Sequence, residues 1–376
     1  MLIIYGPPTH NQVFVNFFTA TRAQFNAKVA ISYSFIFTLL GMCYELVIMK
    51  SDQHDFNDRN SSTGVLLLNM GGPEKPQDIR PFLYNIFSDR EIIRLGPSFL
   101  QKPLARLIAR KRAPKSEQTY GRIGGGSPIS RITRDQQQAL QKRLSEEGNF
   151  VVATAMRYWH PTTQEALKSL RKTAIDRLVA LSLYPHYSCA TSGSSLNELK
   201  RCLLENPIGE ELIEIGSWPD HPGYISCLAA KITQGLQLFG NNPVELVYSA
   251  HSLPVSFIEE GDPYVDHLRR TIGAVEKITG VQGRICYQSR SGPVEWLSPS
   301  TPETINILGT EGCTNILMVP ISFVSDHVET LVEINIEYRE LAAECGIRLE
   351  STESFNDDAD FIGALKDIVL QALSKA

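Results

Sequence analysis

From Gly64 to the end of the chain, short apolar runs alternate with longer amphipathic stretches. Eight runs read as strands: Val65–Asn69, Phe150–Met156, Leu178–Tyr184, Leu212–Gly216, Val244–Ser249, Arg284–Gln288, Ile316–Phe323 and Ile347–Ser351. Several are unbroken in Val, Ile and Leu, the composition of strands covered on both faces, as in a parallel sheet. Ten stretches between them carry helical periodicity: Gln77–Phe87, Pro97–Arg112, Arg134–Glu146, Thr163–Thr173, Gly193–Leu204, Pro222–Leu236, Val265–Ile278, Thr301–Glu311, Asp326–Cys345 and Ala359–Ser374. Thr162 or Thr163 and Asp326 supply start signals for two of them. Repeated β–α alternation predicts an α/β protein with parallel sheets and helices on both faces. Eight strands fit one wide sheet or two four-stranded ones. The length favours two similar domains, 63–215 and 216–355, followed by a helix over 356–376 that packs back on the body.

Residues 1–62 do not share this pattern. Val29–Met49 is largely apolar but is broken by Glu45. It is just long enough to span a bilayer, and its hydroxyls and charge weaken that reading. Only Arg22 and Lys28 are basic before Glu45, too few for a typical mitochondrial presequence. The reading preferred here is that Met49-Lys50 marks a natural start, with Ser51–Ser62 polar and disordered. If the segment is instead a targeting sequence, the mitochondrial inner membrane is the alternative to a cytoplasmic location.

Composition narrows the function. The chain of 376 residues carries a net charge of -5, without the basic excess of a nucleic-acid binder. The local cluster Arg106, Arg110, Lys111 and Arg112 is either a solvated face or an anion contact. Seven cysteines, odd in number and without a C-x-x-C pair, argue against a disulfide framework or zinc knuckle and for a reducing compartment.

Open α/β sheets bind ligands at the carboxyl ends of their strands, so chemistry is sought there. Met70-Gly71-Gly72-Pro73, Arg157-Tyr158-Trp159-His160, Pro185-His186-Tyr187, His251-Ser252-Leu253-Pro254 and Ser325-Asp326-His327-Val328-Glu329 follow five of the strands. Aromatics, imidazoles, an arginine and carboxylates on one rim suit a large flat ligand with anionic arms, plus a cation. His160, His186 and His267 read as hydrogen-bonded structural residues, whereas His251 sits in a short turn that faces the cleft. Glu329, Glu333 and Glu337 recur every four residues and share one helical face beside Leu331, Val332, Ile334 and Ile336. A largely buried carboxylate ladder has raised pKa values and suits protons or a divalent cation. Gly124-Gly125-Gly126-Ser127-Pro128 lacks the Gly-Lys-Ser/Thr of a phosphate loop, though its amides and Ser127 could hold a carboxylate.

Taken in order, LLLNMGGP, YGRIGGGSPI, MRYWHP, YPHYSCATSGSSLN, YSAHSLP, GDPY, the WL of GPVEWLSP and VPISFVSDHVETLVEINIEY resemble the ferrochelatase family from about Gly64 onward. The resemblance implies two similar Rossmann-like domains, each a four-stranded parallel sheet flanked by helices, with a porphyrin cleft between them. It implies insertion of Fe²⁺ into protoporphyrin IX, with release of two protons. His251 matches the family's invariant histidine, for metal or for pyrrole protons, and Glu329 its partner across the cleft. Glu333 and Glu337 match an acidic path away from the site. Arg112, Tyr120 and Ser127 match porphyrin-binding positions through the propionates. Met70, Arg157 and Tyr158 match residues lining the macrocycle. His221 and Asp367 match positions given as active in animal relatives. Animal members hold a [2Fe–2S] cluster on one internal and three C-terminal cysteines. Here Cys189 occupies the internal position and no cysteine-rich tail follows, so no tightly bound cofactor is expected. An apolar porphyrin makes peripheral membrane contact plausible, and the oligomeric state is not legible. Coproporphyrin insertion, another tetrapyrrole chelatase, and a bilobal metal- or siderophore-binding protein stay open as alternatives, with the GGGSPI and SDHVETL contexts closer to the protoporphyrin branch.

Overall fold

The computed structural model describes residues 62–208 and 211–376. The apolar stretch 29–49 lies outside the described residues, and among those described no helix is long and apolar enough to cross a membrane.

The strands are β1 (Thr63–Asn69), β2 (Phe150–Met156), β3 (Arg177–Ser182), β4 (Glu211–Ile215), β5 (Glu245–His251), β6 (Gly283–Gln288), β7 (Asn315–Pro320) and β8 (Arg348–Ser351). They form two four-stranded sheets, β2-β1-β3-β4 and β6-β5-β7-β8, in which every pairing is parallel. The second sheet thus repeats the strand order of the first.

The helices are α1 (Pro76–Ser88), α2 (Gln101–Gly121), α3 (Ile129–Leu144), α4 (Thr163–Leu170), α5 (Ser194–Glu205), α6 (Pro222–Gln237), α7 (Val255–Glu259), α8 (Tyr264–Thr279), α9 (Thr301–Thr310), α10 (Arg339–Glu344) and α11 (Ala359–Leu373). A short π-helix, Cys189–Gly193, leads into α5, and a ten-residue π-helix, Glu329–Tyr338, leads into α10.

Strand alternation distributes the core. On β1, Val65 and Leu67 face one cluster, and Leu66 and Leu68 another. On β7, Leu317 and Val319 join the same cluster as Val65, whereas Ile316 and Met318 face a third. One face of each sheet therefore shares a continuous core, to which α3, α6, α8 and α11 contribute. The opposite faces are covered by α4 and α5 on the first sheet and by α9 and the long π-helix on the second. Helix α11 packs on both α3 and α6, and so joins the two halves.

Three expectations need correction. The helix expected to stop at Arg112 runs on to Gly121, through Pro114. Pro114 and Arg110, whose carbonyl loses its donor, are both exposed, so water satisfies that group while Ala105, Ala109 and Ala113 keep their buried stripe. Asp326 does not cap the following helix. Its Oδ1 accepts from Ser354 Oγ at 2.7 Å and its Oδ2 from Asn356 Nδ2 at 2.9 Å, which ties the end of β7 to the loop before α11. The segment after Asp326 is wound as a π-helix, a form seen mostly as single turns at functional sites. The expected capping at Thr162 is present as a complete capping box with Glu165.

Candidate active site

Between the carboxyl ends of the two sheets lies a cavity of about 1140 Å³ of empty space, its open mouth included. Met70, Ile92, Tyr158, Leu183, Tyr184 and Thr191 line it from the first half; His251, Phe257, Trp296, Phe323, His327 and Glu329 from the second. The lining is mostly apolar and aromatic, and it includes no arginine or lysine.

His251 is the last residue of β5, and Glu329 opens the π-helix that follows β7. Adjacent parallel strands deliver their ends to neighbouring places, so the two side chains meet: His251 Nδ1 lies 2.8 Å from Glu329 Oε2. This corrects the expectation that they stand across the cleft from each other. They occupy one wall, and the facing wall is the Met70–Tyr158 side of the first half.

The pair polarises both members. Burial pulls the His251 imidazole down, but the Glu329 charge and hydrogen bond outweigh it and hold its pKa above the usual value. Burial raises the Glu329 carboxyl, yet the imidazole charge and hydrogen bond overcome that and bring it to about 2. Glu333 goes the other way, to about 7, through burial and then the charge of Glu329. Ser289 Oγ lies 2.9 Å from Glu329 Oε2 and 2.6 Å from Glu333 Oε2, so a single hydroxyl serves two carboxylates. Ser289 adopts φ +64°, the left-handed region that a serine rarely visits. Glu337, at the outer end of the ladder, is half-exposed and pairs with Arg122 at 3.1 Å. In a π-helix residues four apart fall just short of a full turn, so the three glutamates keep one face despite the wider winding.

Two further imidazoles line the cavity. His186 Nε2 lies 2.9 Å from Thr271 Oγ1, whose own proton goes to the Pro219 carbonyl, so Nε2 carries the hydrogen and Nδ1 the lone pair. Burial brings its pKa to about 3 and keeps it neutral. His327 lies against Phe323, ring centres 4.2 Å apart and planes tilted by 59°, and burial lowers its pKa too.

Of the residues expected from sequence, Met70, Tyr158, His251 and Glu329 line the cavity; the others do not. Arg157 is turned away from it, donating to Asp89 Oδ2 at 2.9 Å and Ser194 Oγ at 2.7 Å. Arg112 is exposed and lies over the Phe87 ring, 5.3 Å from its centre. Tyr120 is buried near enough to Glu329 to feel its charge. The glycine loop is locked rather than open: Gly125 and Ser127 N–H donate to Tyr120 and Pro73 carbonyls, and a Cβ on Gly126 would collide with the Glu74 carbonyl. These amides are therefore spent within the protein and not offered to a carboxylate. His221 and Asp367 sit near each other at α6 and α11, and neither reaches the cavity. Burial and Asp262 push the Cys189 thiol up to about 11. Ser289, His186, His327, Tyr264 and Ser322 were not singled out as site residues from sequence. Their positions just after strands β6, β3 and β7, or at a helix start, were the available signal.

Two parallel sheets of equal order, with a lined cleft at their shared carboxyl rim, define a two-domain α/β protein of the kind seen in SirB from Bacillus subtilis with Fe³⁺. That structure matches at TM-score 0.50 and 11% identity, over 83% of this chain and 95% of that one, a likeness of fold alone. The family model Ferrochelatase matches residues 62–373. The ferrochelatase of Desulfotalea psychrophila is 59% identical over 314 residues, 84% of this chain and 98% of that protein. The ferrochelatase of Geotalea uraniireducens is 53% identical over 315 residues, 83% and 98% of the two chains. The chain belongs to the ferrochelatase family, and with it to enzymes whose substrates are a porphyrin and ferrous iron.

Proposed function

We propose that the cleft holds a porphyrin between the His251–Glu329 wall and the Met70–Tyr158 wall, and that His251 takes the pyrrole protons as Fe²⁺ enters. The observation that carries this is the 2.8 Å His251–Glu329 pair at the end of an apolar slot. Insertion replaces two pyrrole N–H protons by Fe²⁺ and releases both. With Nδ1–H donated to Glu329, the Nε2 lone pair is the free basic site, and the carboxylate makes it more basic. The accepted proton has a continuation, since Glu329, the Ser289 hydroxyl and Glu333 lie in successive hydrogen-bond contact. The Glu329 oxygens and the imidazole nitrogen are also donors that suit ferrous iron in transit.

Protoporphyrin IX is the favoured ring. It carries two carboxylate arms where coproporphyrin carries four, and the cavity lining is mostly apolar, with no arginine or lysine among the described residues. Mixing the protein anaerobically with Fe²⁺ and each porphyrin in turn tests both points. Haem absorbance develops faster with protoporphyrin, and His251→Ala abolishes it while porphyrin binding, read by fluorescence quenching, persists. A fully active His251→Ala protein would overturn the assignment.

The segment after the cavity residue Ile92 supports peripheral membrane contact. Phe99, in the turn just before α2, is 74% exposed and Leu107, within α2, 62%; α2 also carries Lys102, Arg106, Arg110 and Lys111. Apolar side chains within a basic surface suit an anionic bilayer. Flotation with anionic vesicles is expected for the intact protein and lost with Phe99→Asp plus Leu107→Asp.

A further inference from the structure

We infer that Tyr264 and Ser322 are positioning residues for His251, forming with its backbone a closed ring of hydrogen bonds that fixes the imidazole against Glu329. The inference rests on the proposed role of His251.

Strand β5 outlasts its neighbour. Pairing with β7 ends at Ser249 opposite Pro320, and the last bond on that side runs from Ile321 N–H to the Ser249 carbonyl. His251 lies two residues further on, so its N–H and C=O on that side have no strand to pair with. A buried peptide group left so is costly. Ser322 Oγ accepts the His251 N–H at 3.2 Å. The Tyr264 hydroxyl donates to the His251 carbonyl at 3.0 Å. The two hydroxyl oxygens are 2.6 Å apart.

Proton counting fixes the direction. The three groups offer three protons to three contacts. The His251 N–H can only donate. The His251 carbonyl can only accept, and its proton comes from Tyr264. The Ser322 hydroxyl must therefore donate to the tyrosine oxygen. Each donor is used once, and the loop closes. Tyr264 and Ser322 are 5% and 7% exposed, so water does not compete for these bonds.

The ring is anchored from outside. Asp262 Oδ1 accepts the Tyr264 N–H at 3.0 Å, and its Oδ2 accepts from Ser188 Oγ at 2.9 Å and Cys189 N–H at 2.7 Å. The Tyr264 backbone is thus held by a carboxylate that also grips the loop after β3 in the other half. His251 receives its backbone position from one side through this ring and its ring orientation from the other through Glu329. The residue that must meet a substrate at a defined angle is held at both ends.

The test uses Tyr264→Phe, Ser322→Ala, Ser322→Thr and the Tyr264→Phe/Ser322→Ala double variant of the full chain, in the anaerobic iron-insertion assay. Tyr264→Phe keeps the edge contact with His186, ring centres 6.2 Å apart, so packing is preserved. Each hydroxyl deletion lowers kcat about tenfold, as small misplacements of a reacting group do, with KM for porphyrin within about twofold. The double variant falls no lower than the weaker single one, because either deletion opens the same ring. Ser322→Thr restores activity. Deletions that leave kcat within about twofold of the parent, or losses that multiply in the double variant, overturn the ring. Should Tyr264→Phe fail to fold, the Ser322→Ala and Ser322→Thr pair decides alone. His251→Ala, run alongside, separates the two claims. If it is inactive while the hydroxyl variants are normal, only the ring is wrong; if it is active, the site itself is.

Discussion

The two halves of the protein share a strand order, but they treat buried carboxylates in opposite ways. In the first half, Asp89 accepts from Arg157, Tyr158, Ser194 and the Glu91 amide. Burial raises its pKa, and these donors together bring it below the ordinary value. In the second half, Glu329 and Glu333 share the hydroxyl of Ser289; Glu329 has the imidazole besides, and Glu333 only the longer contacts, 3.4 Å each, from Gln288 Nε2 and the Tyr338 hydroxyl. A carboxylate with four donors has no reason to take a proton. Glu333 is buried beside the Glu329 charge with one close donor, and these raise it to about 7. Donor supply separates a carboxylate held ionised from one held ready to bind a proton.

That contrast is sharpest in paired substitutions. His251→Ala should cost at least 10³-fold in iron insertion, the upper range for a positioned proton acceptor, with a stability loss smaller than that of Asp89→Asn, because Glu329 left without the imidazole can take up a proton. Asp89→Asn should do the reverse. It leaves the Arg157 guanidinium, 20% exposed, without its charge partner, and destabilises the protein by about 3–5 kcal/mol, seen as a lower midpoint in urea unfolding. Residual activity of the folded Asp89→Asn fraction should stay within about tenfold of the parent. Equal losses of stability in both variants would erase the distinction.

How far the sequence foretold this depends on the range of the interactions. Unbroken runs such as Val65–Leu68 and Ile316–Val319 mark strands because every position is covered, and each strand was placed within about three residues. The Thr162 capping box is local and was legible. The repeated sheet order was not, because strand order is a matter of which distant segments pair. For the same reason the sequence pattern sets His251 and Glu329 on opposite walls. Only knowledge that β5 and β7 are neighbours brings them together. The winding of Glu329–Tyr338 was likewise invisible: a spacing of four fits an α-helix or a π-helix, and contacts to Ser289 and Gln288 lie some forty residues away. Arg157 looked like a cleft residue because it follows a strand. Its partner Asp89 lies at the end of another helix and turns it outward.

A smaller effect, with a sign that can be worked out, comes from Glu333→Gln. The carboxyl titrates at about 7 in the folded protein against 4.5 ordinarily. Between these values the unfolded chain has lost the proton that the folded one keeps, so stability falls as pH rises from about 4.5 to 7. Glutamine cannot ionise. The variant should therefore match the parent near pH 4.5 and exceed it above pH 7, by about 1–2 kcal/mol once partial solvent contact is allowed for. The Glu329 carboxylate has the opposite dependence: its contribution is complete above about 4.5 and disappears only as pH falls toward 2. The His251 side of the pair is complete below 6.5 and fades as pH rises through its raised value, in parent and Glu333→Gln alike, so the difference between the two proteins still reports Glu333. Activity supplies the second readout. If Glu333 receives the proton leaving His251 by way of Ser289, the limb of the pH–rate profile near 7 should flatten in Glu333→Gln, with kcat down severalfold. A variant more stable at high pH whose limb is unchanged would mark Glu333 as a strained spectator of the His251–Glu329 pair, and proton release would then have to leave by another route.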